Sequence, residues 1–164
     1  MSFDLSVIPN KNIIVAVTGG IAAYKSAILV RRLKDAGFNI RVVMTKGAQA
    51  FVTPLTFQAL SGNSVHTELL NPEAEAGMGH IELARWADLI LVAPASCDTL
   101  AKFAAGLADD LLSTLYLATK APVWVAPAMN QQMWAAKATQ RNLNTLVEDG
   151  VHVIMPDAGA QACG

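Results

Sequence analysis

The feature that most constrains the fold is a short apolar run that ends abruptly at two glycines. Ile13 to Val17 is an unbroken and largely β-branched stretch, which is typical of a strand buried on both faces of a parallel sheet. Gly19 and Gly20 follow it, and apolar residues at helical spacing then extend from Ile21 to Ala36. The sequence therefore predicts a strand, a glycine turn and a helix in immediate succession.

Such a turn is a candidate anion site, because free backbone N–H groups and the positive end of the helix dipole converge on it. Glycines also occur at these turns for geometry alone, so phosphate binding and a purely conformational role both stay open. The chain has no G-x-G-x-x-G motif, and the second strand pattern, Asn39 to Met44, ends without an acidic residue for a ribose. A mononucleotide such as FMN therefore fits this turn better than NAD does.

Strand and helix patterns alternate along the rest of the chain. The further predicted strands are Asn39–Met44, Leu89–Ala93, Val123–Ala126 and Val151–Met155. The further predicted helices are Leu55–Leu60, a stretch that ends near Ala105, Leu107–Thr119 and Gln132–Glu148. This alternation predicts an α/β fold, a Rossmann-like or flavodoxin-like three-layer sandwich around a doubly wound parallel sheet.

Ligands of such sheets bind at the carboxyl ends of the strands. The segments that follow the predicted strands should therefore share one edge, and they are Thr18-Gly19-Gly20, Thr45-Lys46-Gly47, Ser96-Cys97-Asp98-Thr99, Ala128-Met129-Asn130 and Asp157 to Cys163. The hydroxyls of Thr18, Thr45, Ser96 and Thr99 would form a neutral cradle for a phosphate ester. For Ser96 and Thr99 the alternative is that they cap the following helix.

Three side chains carry candidate chemistry. His80 follows a loop from Asn71 to Gly79, and histidine ordinarily titrates near neutral pH, which suits proton transfer. Asn130 can hydrogen-bond a carboxylate, or it caps the helix that follows. Cys163 lies in a tail of small residues, where a thiol would be accessible as an acid or a redox group.

Composition argues against several classes of protein. The net charge is −1 and the basic residues are scattered, which argues against a nucleic-acid partner. No apolar run approaches the roughly 18 residues of a membrane span, and Met1 to Lys11 lacks the apolar core of a signal peptide, so we expect a cytoplasmic protein. His66 and His152 belong to strand patterns and are expected to be structural, and the histidine and cysteine spacing indicates no metal site. A mean hydropathy of +0.37 predicts a homo-oligomer.

Four groups of motifs, in order along the chain, resemble those of a known family. They are Gly19-Gly20-Ile21-Ala22-Ala23-Tyr24-Lys25, Gly79-His80-Ile81-Glu82-Leu83 with Trp86-Ala87-Asp88, Pro127-Ala128-Met129-Asn130, and Ala162-Cys163-Gly164. On these motifs the chain resembles the homo-oligomeric flavin-containing cysteine decarboxylases, and within them the phosphopantothenoylcysteine decarboxylases, from about Lys11 to Gly164. In many bacteria such a domain is the N-terminal half of a bifunctional coenzyme A biosynthesis protein that also carries a phosphopantothenate–cysteine ligase.

The resemblance implies a cofactor, a reaction and an assembly. The reaction is the FMN-dependent decarboxylation of 4′-phosphopantothenoylcysteine to 4′-phosphopantetheine, with FMN at a subunit interface of a homotrimer and with trimers assembling further into a dodecamer. His80 would be the catalytic base, Asn130 would bind the substrate carboxylate, and Cys163 would supply the proton for the final reduction. The residues implied to contact FMN are Gly19, Gly20, Ile21, Thr45, Lys46, Gly47, Ser96, Cys97, Asp98, Thr99 and Ala128.

The chain departs from the family pattern in two places. Asp98 stands where the family often has asparagine, and its carboxylate would repel a phosphate unless it points away. The family also continues through a glycine-rich flap beyond the position of Gly164. We therefore expect an N-terminal tail of residues 1–10 and an FMN-binding domain of residues 11–164 that is cut short of the flap and of any ligase domain.

Three alternatives stay open. The first two are related flavoproteins, a peptidyl-cysteine decarboxylase and a flavin prenyltransferase, and the third is a non-catalytic FMN-binding regulatory subunit. The combination of His80 with Pro127 to Asn130 argues against the prenyltransferase, and Cys163 favours the full reaction over the peptide one. A strongly charged tail would favour the regulatory subunit, and the sequence contains none.

Overall fold

The predicted α/β sandwich with a parallel sheet is confirmed. The structure is a computed structural model that describes residues 12–70 and 78–155. Five parallel strands form one sheet in the order β2-β1-β3-β4-β5, and they are β1 (Asn12–Val17), β2 (Asn39–Met44), β3 (Leu89–Ala95), β4 (Val123–Pro127) and β5 (His152–Val153). The order places β1 and β3 at the centre of the sheet, so their carboxyl ends define the middle of its functional edge.

Helices cover both faces of the sheet. The described residues form α1 (Ala23–Asp35), α2 (Pro54–Ser61), α3 (His80–Trp86), α4 (Cys97–Ala105), α5 (Leu111–Ala118), α6 (Gln131–Ala135) and α7 (Lys137–Glu148), with a short 3₁₀ turn at Ala48–Ala50. Within these ranges, no helix has the length and apolar character that crossing a bilayer requires.

Burial of both faces of β1 explains why the strand is apolar without interruption. Ile13, Val15 and Val17 belong to the core formed with α1 and α2. Ile14 and Ala16 belong to the core formed with α3, α4, α5 and α7. Because both faces are covered, every residue from Ile13 to Val17 is fully buried, as the sequence pattern predicts.

Several predicted boundaries were wrong. The helix predicted for Leu107–Thr119 begins only at Leu111, because the Asp110 side chain caps it there. The helix predicted for Gln132–Glu148 is two helices, because Ala136 has an extended backbone (φ −57°, ψ 136°) between α6 and α7. Gln140 Nε2 donates to the Trp134 carbonyl at 2.6 Å across this break, a contact that helical periodicity cannot reveal. The last strand covers only His152–Val153 of the predicted Val151–Met155, and α1 begins at Ala23 rather than Ile21 because a turn precedes it.

Candidate cofactor-binding site

Four of the five predicted exit segments meet at the carboxyl edge of the sheet. The Thr45 N–H donates to the Val17 carbonyl at 3.1 Å, which ties the end of β2 to the end of β1. The Ala128 N–H donates to the Ala95 carbonyl at 3.1 Å, which ties the end of β4 to that of β3. The fifth segment, Asp157 to Cys163, lies outside the described residues.

Thr18 joins the two central strands and does not face a ligand. Its side chain is fully buried, and Oγ1 donates to the Pro94 carbonyl at 2.6 Å while it accepts from the Ser96 N–H at 2.8 Å. The predicted part of this hydroxyl in a phosphate cradle was therefore wrong. Its position at a strand end suited both roles, and only the three-dimensional contact with Pro94 distinguishes them.

The two glycine segments approach each other backbone to backbone. A Cβ atom built on Gly19 would lie 3.2 Å from the carbonyl carbon of Gly47 and 3.3 Å from its Cα, so a side chain at Gly19 would be crowded. A Cβ atom on Gly20 would meet nothing within 4 Å. Gly19 is therefore closely packed against the Gly47 backbone, whereas Gly20 borders open space next to the turn.

Backbone N–H groups without acceptors converge at this edge. Among the described residues, the N–H groups of Gly19, Gly20 and Ile21 have no acceptor, and neither do those of Cys97 and Asp98 in the first turn of α4. The first set precedes α1 and the second begins α4, and the two follow the neighbouring strands β1 and β3. Free donors at two helix N-termini and open space at a glycine fit the phosphate of a mononucleotide.

Ser96 caps α4, as the alternative for this residue predicts. Its Oγ accepts from the Thr99 N–H at 3.1 Å and donates to Thr99 Oγ1 at 3.0 Å. Thr99 is almost fully buried beneath the cap. On the neighbouring loop, Thr45 Oγ1 accepts from the Ala48 N–H at 3.2 Å. The Ser96 and Thr99 hydroxyls stabilise the first turn of α4, which presents the free N–H groups of Cys97 and Asp98, and Thr45 stabilises the neighbouring loop.

The remaining predicted contact residues differ in exposure. Lys46 and Ile21 are exposed, and 54% of Ile21 is accessible. Cys97 is half-buried, with Sγ 3.4 Å from Thr139 Oγ1 on α7, which fits a packing role. Ala128 is half-buried, and its N–H is already bonded to β3.

Asp98 points away from the beginning of α4. Its side chain is 78% exposed, and Oδ2 lies 3.8 Å from Nζ of Lys102, one turn further along the helix. Lys102 also contacts Asp109 Oδ1 at 3.2 Å and Asp110 Oδ2 at 3.7 Å. The sequence analysis did not predict this group of ion pairs around Lys102. The i,i+4 spacing of Asp98 and Lys102 was a readable signal, whereas the approach of Asp109 and Asp110 depends on the loop after α4.

His80 and Asn130 are the first residue and the cap of two different helices. His80 is half-buried and begins α3, which ends beside the start of β1, where Asn12 Nδ2 donates to the Trp86 carbonyl at 3.2 Å. Because α3 runs toward the amino edge of the sheet, His80 lies at its end nearer the carboxyl edge. Asn130 is exposed, and its Oδ1 accepts from the Met133 N–H at 2.9 Å, so the predicted cap is present.

The other described histidines lie outside the strand-end segments that form the candidate site. His66 is buried and forms a bridge with Val43 beside β2, and among the described residues its Nε2 has no hydrogen-bond partner. Burial, together with the positive charge of Arg41, lowers the pKa of His66. His152 is exposed on β5, with its ring 5.1 Å from that of Trp124. The predicted structural role of His66 agrees with its burial.

The comparison with known families decides the assignment of this fold. A family model described as Flavoprotein matches residues 4–163. The chain belongs to the flavoprotein family. Among curated relatives of this flavoprotein, the coenzyme A biosynthesis bifunctional protein CoaBC of Escherichia coli strain K12 is 58% identical over 154 residues, which are 94% of this chain and 38% of that protein. The chain thus spans about two fifths of the length of the curated relatives it matches.

Solved structures confirm the flavoprotein fold. The FMN-dependent cysteine decarboxylase SpaF matches with a TM-score of 0.84 at 34% identity, covering 92% of this chain and 87% of that chain. A PPC decarboxylase variant complexed with pantothenoylaminoethenethiol matches with a TM-score of 0.75 at 32% identity, over 92% of this chain and 87% of that one. The resemblance found in the sequence motifs is therefore confirmed at the level of family and fold.

Proposed function

We propose that this flavoprotein catalyses the FMN-dependent decarboxylation of 4′-phosphopantothenoylcysteine to 4′-phosphopantetheine in coenzyme A biosynthesis. The observation that carries the proposal is the 58% identity to CoaBC across 94% of the chain. The structural match to a PPC decarboxylase bound to pantothenoylaminoethenethiol supports the same reaction. We also propose that the native protein continues into a ligase domain, because the curated relatives are named as bifunctional.

The free N–H groups and the open side of Gly20 support FMN as the cofactor, with its phosphate at the edge formed by β1 and β3. Gly19, Gly20 and Ile21 would receive the phosphate together with the first turn of α4. Thr45, Lys46, Gly47, Ser96, Thr99 and Ala128 border the same edge. When bound, FMN supplies the electron acceptor that makes loss of carbon dioxide from the cysteinyl group possible.

Two side chains have geometry that suits the roles proposed for them. Oδ1 of Asn130 accepts from the Met133 N–H and the residue is exposed, so its Nδ2 would be available to donate to the substrate carboxylate. His80 begins α3 at its end nearer the carboxyl edge, where it would take the proton from the substrate. Cys163, which lies outside the described residues, would return a proton at the last step.

A homotrimer is part of the same proposal. Ile21 in the turn before α1, together with Tyr24 and Ile28 on α1, forms an apolar stripe, and between 50% and 57% of each residue is exposed. The stripe begins at the glycine turn, so a neighbouring subunit seated on it would also border the cofactor. Exposed apolar surface of this kind marks protein contacts. We propose that a second copy of the chain covers this stripe, and that trimers can assemble further into a dodecamer.

The test starts with the absorbance spectrum of the purified protein. We expect bound FMN, and we expect the loaded protein to convert 4′-phosphopantothenoylcysteine into equal amounts of carbon dioxide and 4′-phosphopantetheine, measured by mass spectrometry. A protein that takes up no FMN would overturn the cofactor assignment. An FMN-loaded protein that releases no carbon dioxide would overturn the reaction.

His80→Asn tests the role of the proposed base. We expect this variant to bind FMN normally and to decarboxylate at least about a hundredfold more slowly, because the proton acceptor is lost. The matched control is His152→Asn, which makes the same substitution at an exposed histidine on β5 and should retain full activity. Full activity in His80→Asn would contradict the assigned role.

A related cysteine decarboxylase is the second candidate, because the match to SpaF has the higher TM-score, 0.84 against 0.75. A peptide that ends in cysteine, offered to the same FMN-loaded protein, separates the two reactions. Turnover of the peptide in preference to 4′-phosphopantothenoylcysteine would favour this second candidate.

A further inference from the structure

Asp98 places a negative charge where the proposed cofactor site needs a positive one. It is the second residue of α4, and its own N–H and that of Cys97 have no acceptor among the described residues. A carboxylate in the first turn of a helix is attracted to such N–H groups and to the helix dipole, as a phosphate is. Asp98 and the cofactor phosphate would therefore compete for these donors and repel each other.

Lys102 holds the Asp98 carboxylate in another direction. Its Nζ lies 3.8 Å from Asp98 Oδ2, one turn further along α4. The cap of α4 is provided by Ser96, whose Oγ accepts from the Thr99 N–H, so Asp98 has no capping role. The carboxylate is largely exposed, and its cation partner lies one turn away from the first-turn N–H groups.

The charge balance around Lys102 makes this contact important. The single ammonium faces the carboxylates of Asp98, Asp109 and Asp110, so the group is net negative even with Lys102 in place. Burial lowers the pKa of Lys102, but the hydrogen bond to Asp109 and the charges of Asp110, Asp109 and Asp98 outweigh it, and the pKa is raised. Lys102 therefore keeps its charge throughout the neutral range.

We propose that Lys102 is a positioning residue for the cofactor phosphate. By drawing Asp98 along the helix and offsetting its charge, Lys102 leaves the first-turn N–H groups of α4 available to an anion that Asp98 would otherwise displace. This inference rests on the proposed function, since it takes the phosphate of FMN as the anion.

The test compares FMN with riboflavin, which has the same ring system and no phosphate. Dissociation constants are measured by flavin fluorescence on protein stripped of its flavin. Because Asp98 is largely exposed, we expect Lys102→Met to weaken FMN binding by about two- to fivefold at low ionic strength and by less at high ionic strength. We expect riboflavin binding to stay unchanged and Asp98→Asn to restore FMN affinity in the double variant. Lys120→Met, at an exposed lysine before β4, is the control for net charge.

Each outcome supports or overturns the positioning role of Lys102. Equal weakening of FMN and riboflavin by Lys102→Met would show a structural role and overturn the inference, as would unchanged FMN affinity. Asp98→Asn alone keeps the contacts of Lys102 with Asp109 and Asp110 and should tighten FMN binding. This variant provides the test if Lys102→Met does not fold. Wild-type protein that binds no FMN would refute the proposed function, whereas wild-type binding with no effect of these variants refutes the inference alone.

Discussion

At the residue scale, the glycine turn combines two different requirements that the sequence cannot separate. Gly19 lies against the backbone of Gly47, so it is needed for close packing of two loops. Gly20 has open space on the side where a Cβ would lie, so it is the residue suited to a ligand. Two adjacent and identical residues thus differ in their surroundings, since Gly19 is closely packed and Gly20 leaves space for the proposed ligand.

The Gly19 contact predicts an asymmetric effect of adding one methyl group. Gly19→Ala would place Cβ 3.2 Å from the Gly47 carbonyl carbon, and we expect it to lower the free energy of unfolding by about 1 to 3 kcal/mol. Gly47→Ala would place Cβ 3.5 Å from Gly19 Cα, an ordinary contact, and should change stability by less than about 0.5 kcal/mol. Urea unfolding of the two flavin-free variants measures these changes in unfolding free energy. Equal losses in the two variants would contradict the packing explanation.

His66 predicts a dependence of stability on pH. Burial and Arg41 lower its pKa in the folded protein, so the unfolded chain binds the proton more readily. The stabilising effect is complete above the unfolded pKa of about 6.5 and is lost as the pH falls toward the lower folded value. We expect His66→Gln to reduce the loss of unfolding free energy between neutral and mildly acidic pH. If the unfolding free energy of the variant falls equally steeply toward acidic pH, groups other than His66 cause the loss.

At the element scale, helix capping explains how the carboxyl edge is ordered before any ligand binds. α4 begins at a cap with a side-chain hydrogen bond from Ser96, and α6 begins at a similar cap from Asn130. α2 begins at Thr53, which makes no side-chain cap bond. Two of the helices that begin at the candidate site, α4 and α6, therefore have stabilised first turns, whereas α1 and α3 begin without a side-chain cap bond.

This difference predicts unequal costs of removing a cap. Ser96→Ala should lower the free energy of unfolding of the flavin-free protein by about 1 kcal/mol, because the Thr99 N–H loses its acceptor. Thr53→Ala should cost only a few tenths of a kcal/mol, since no cap bond is removed. Urea titration followed by circular dichroism measures the two. A Thr53→Ala cost that matches Ser96→Ala would argue against capping as the cause.

Element prediction succeeded where the pattern is set by burial and failed where it is set by contacts between distant residues. The uninterrupted apolar character of Ile13–Val17 identified a central strand because both of its faces are covered. The break at Ala136 was missed, since it depends on a hydrogen bond from Gln140 to Trp134. The candidate site shows the same division between what local patterns reveal and what distant contacts determine. The strand-end loops could be located, but the burial of Thr18 and the approach of Asp109 to Lys102 could not.

At the scale of the whole molecule, one exposed apolar stripe lies beside the candidate site. The stripe of Ile21, Tyr24 and Ile28 runs along α1 and begins beside the glycine turn. The proposed assembly would cover this stripe and complete the surroundings of the cofactor, so assembly and cofactor retention should depend on each other.

Tyr24→Glu tests this dependence. A charge within the stripe should dissociate the oligomer, because its burial against an apolar partner is costly, and it should lower FMN retention as well. Analytical ultracentrifugation and flavin absorbance measure the two effects. Val147→Glu, at a residue of equal exposure (57%) on α7 across the sheet, is the matched control and should remain assembled. An assembled Tyr24→Glu protein would place the interface elsewhere.

The hydrogen bonds at the beginning of α4 divide its first amides into two kinetic classes. The amide of Ser96 is held by Thr18 and that of Thr99 by Ser96, whereas those of Cys97 and Asp98 have no acceptor among the described residues. Exchange with deuterated solvent should accordingly be slow, fast, fast and slow over four consecutive residues. The proposed phosphate would protect only the middle pair, so the exchange rates of these two amides would report its binding one amide at a time.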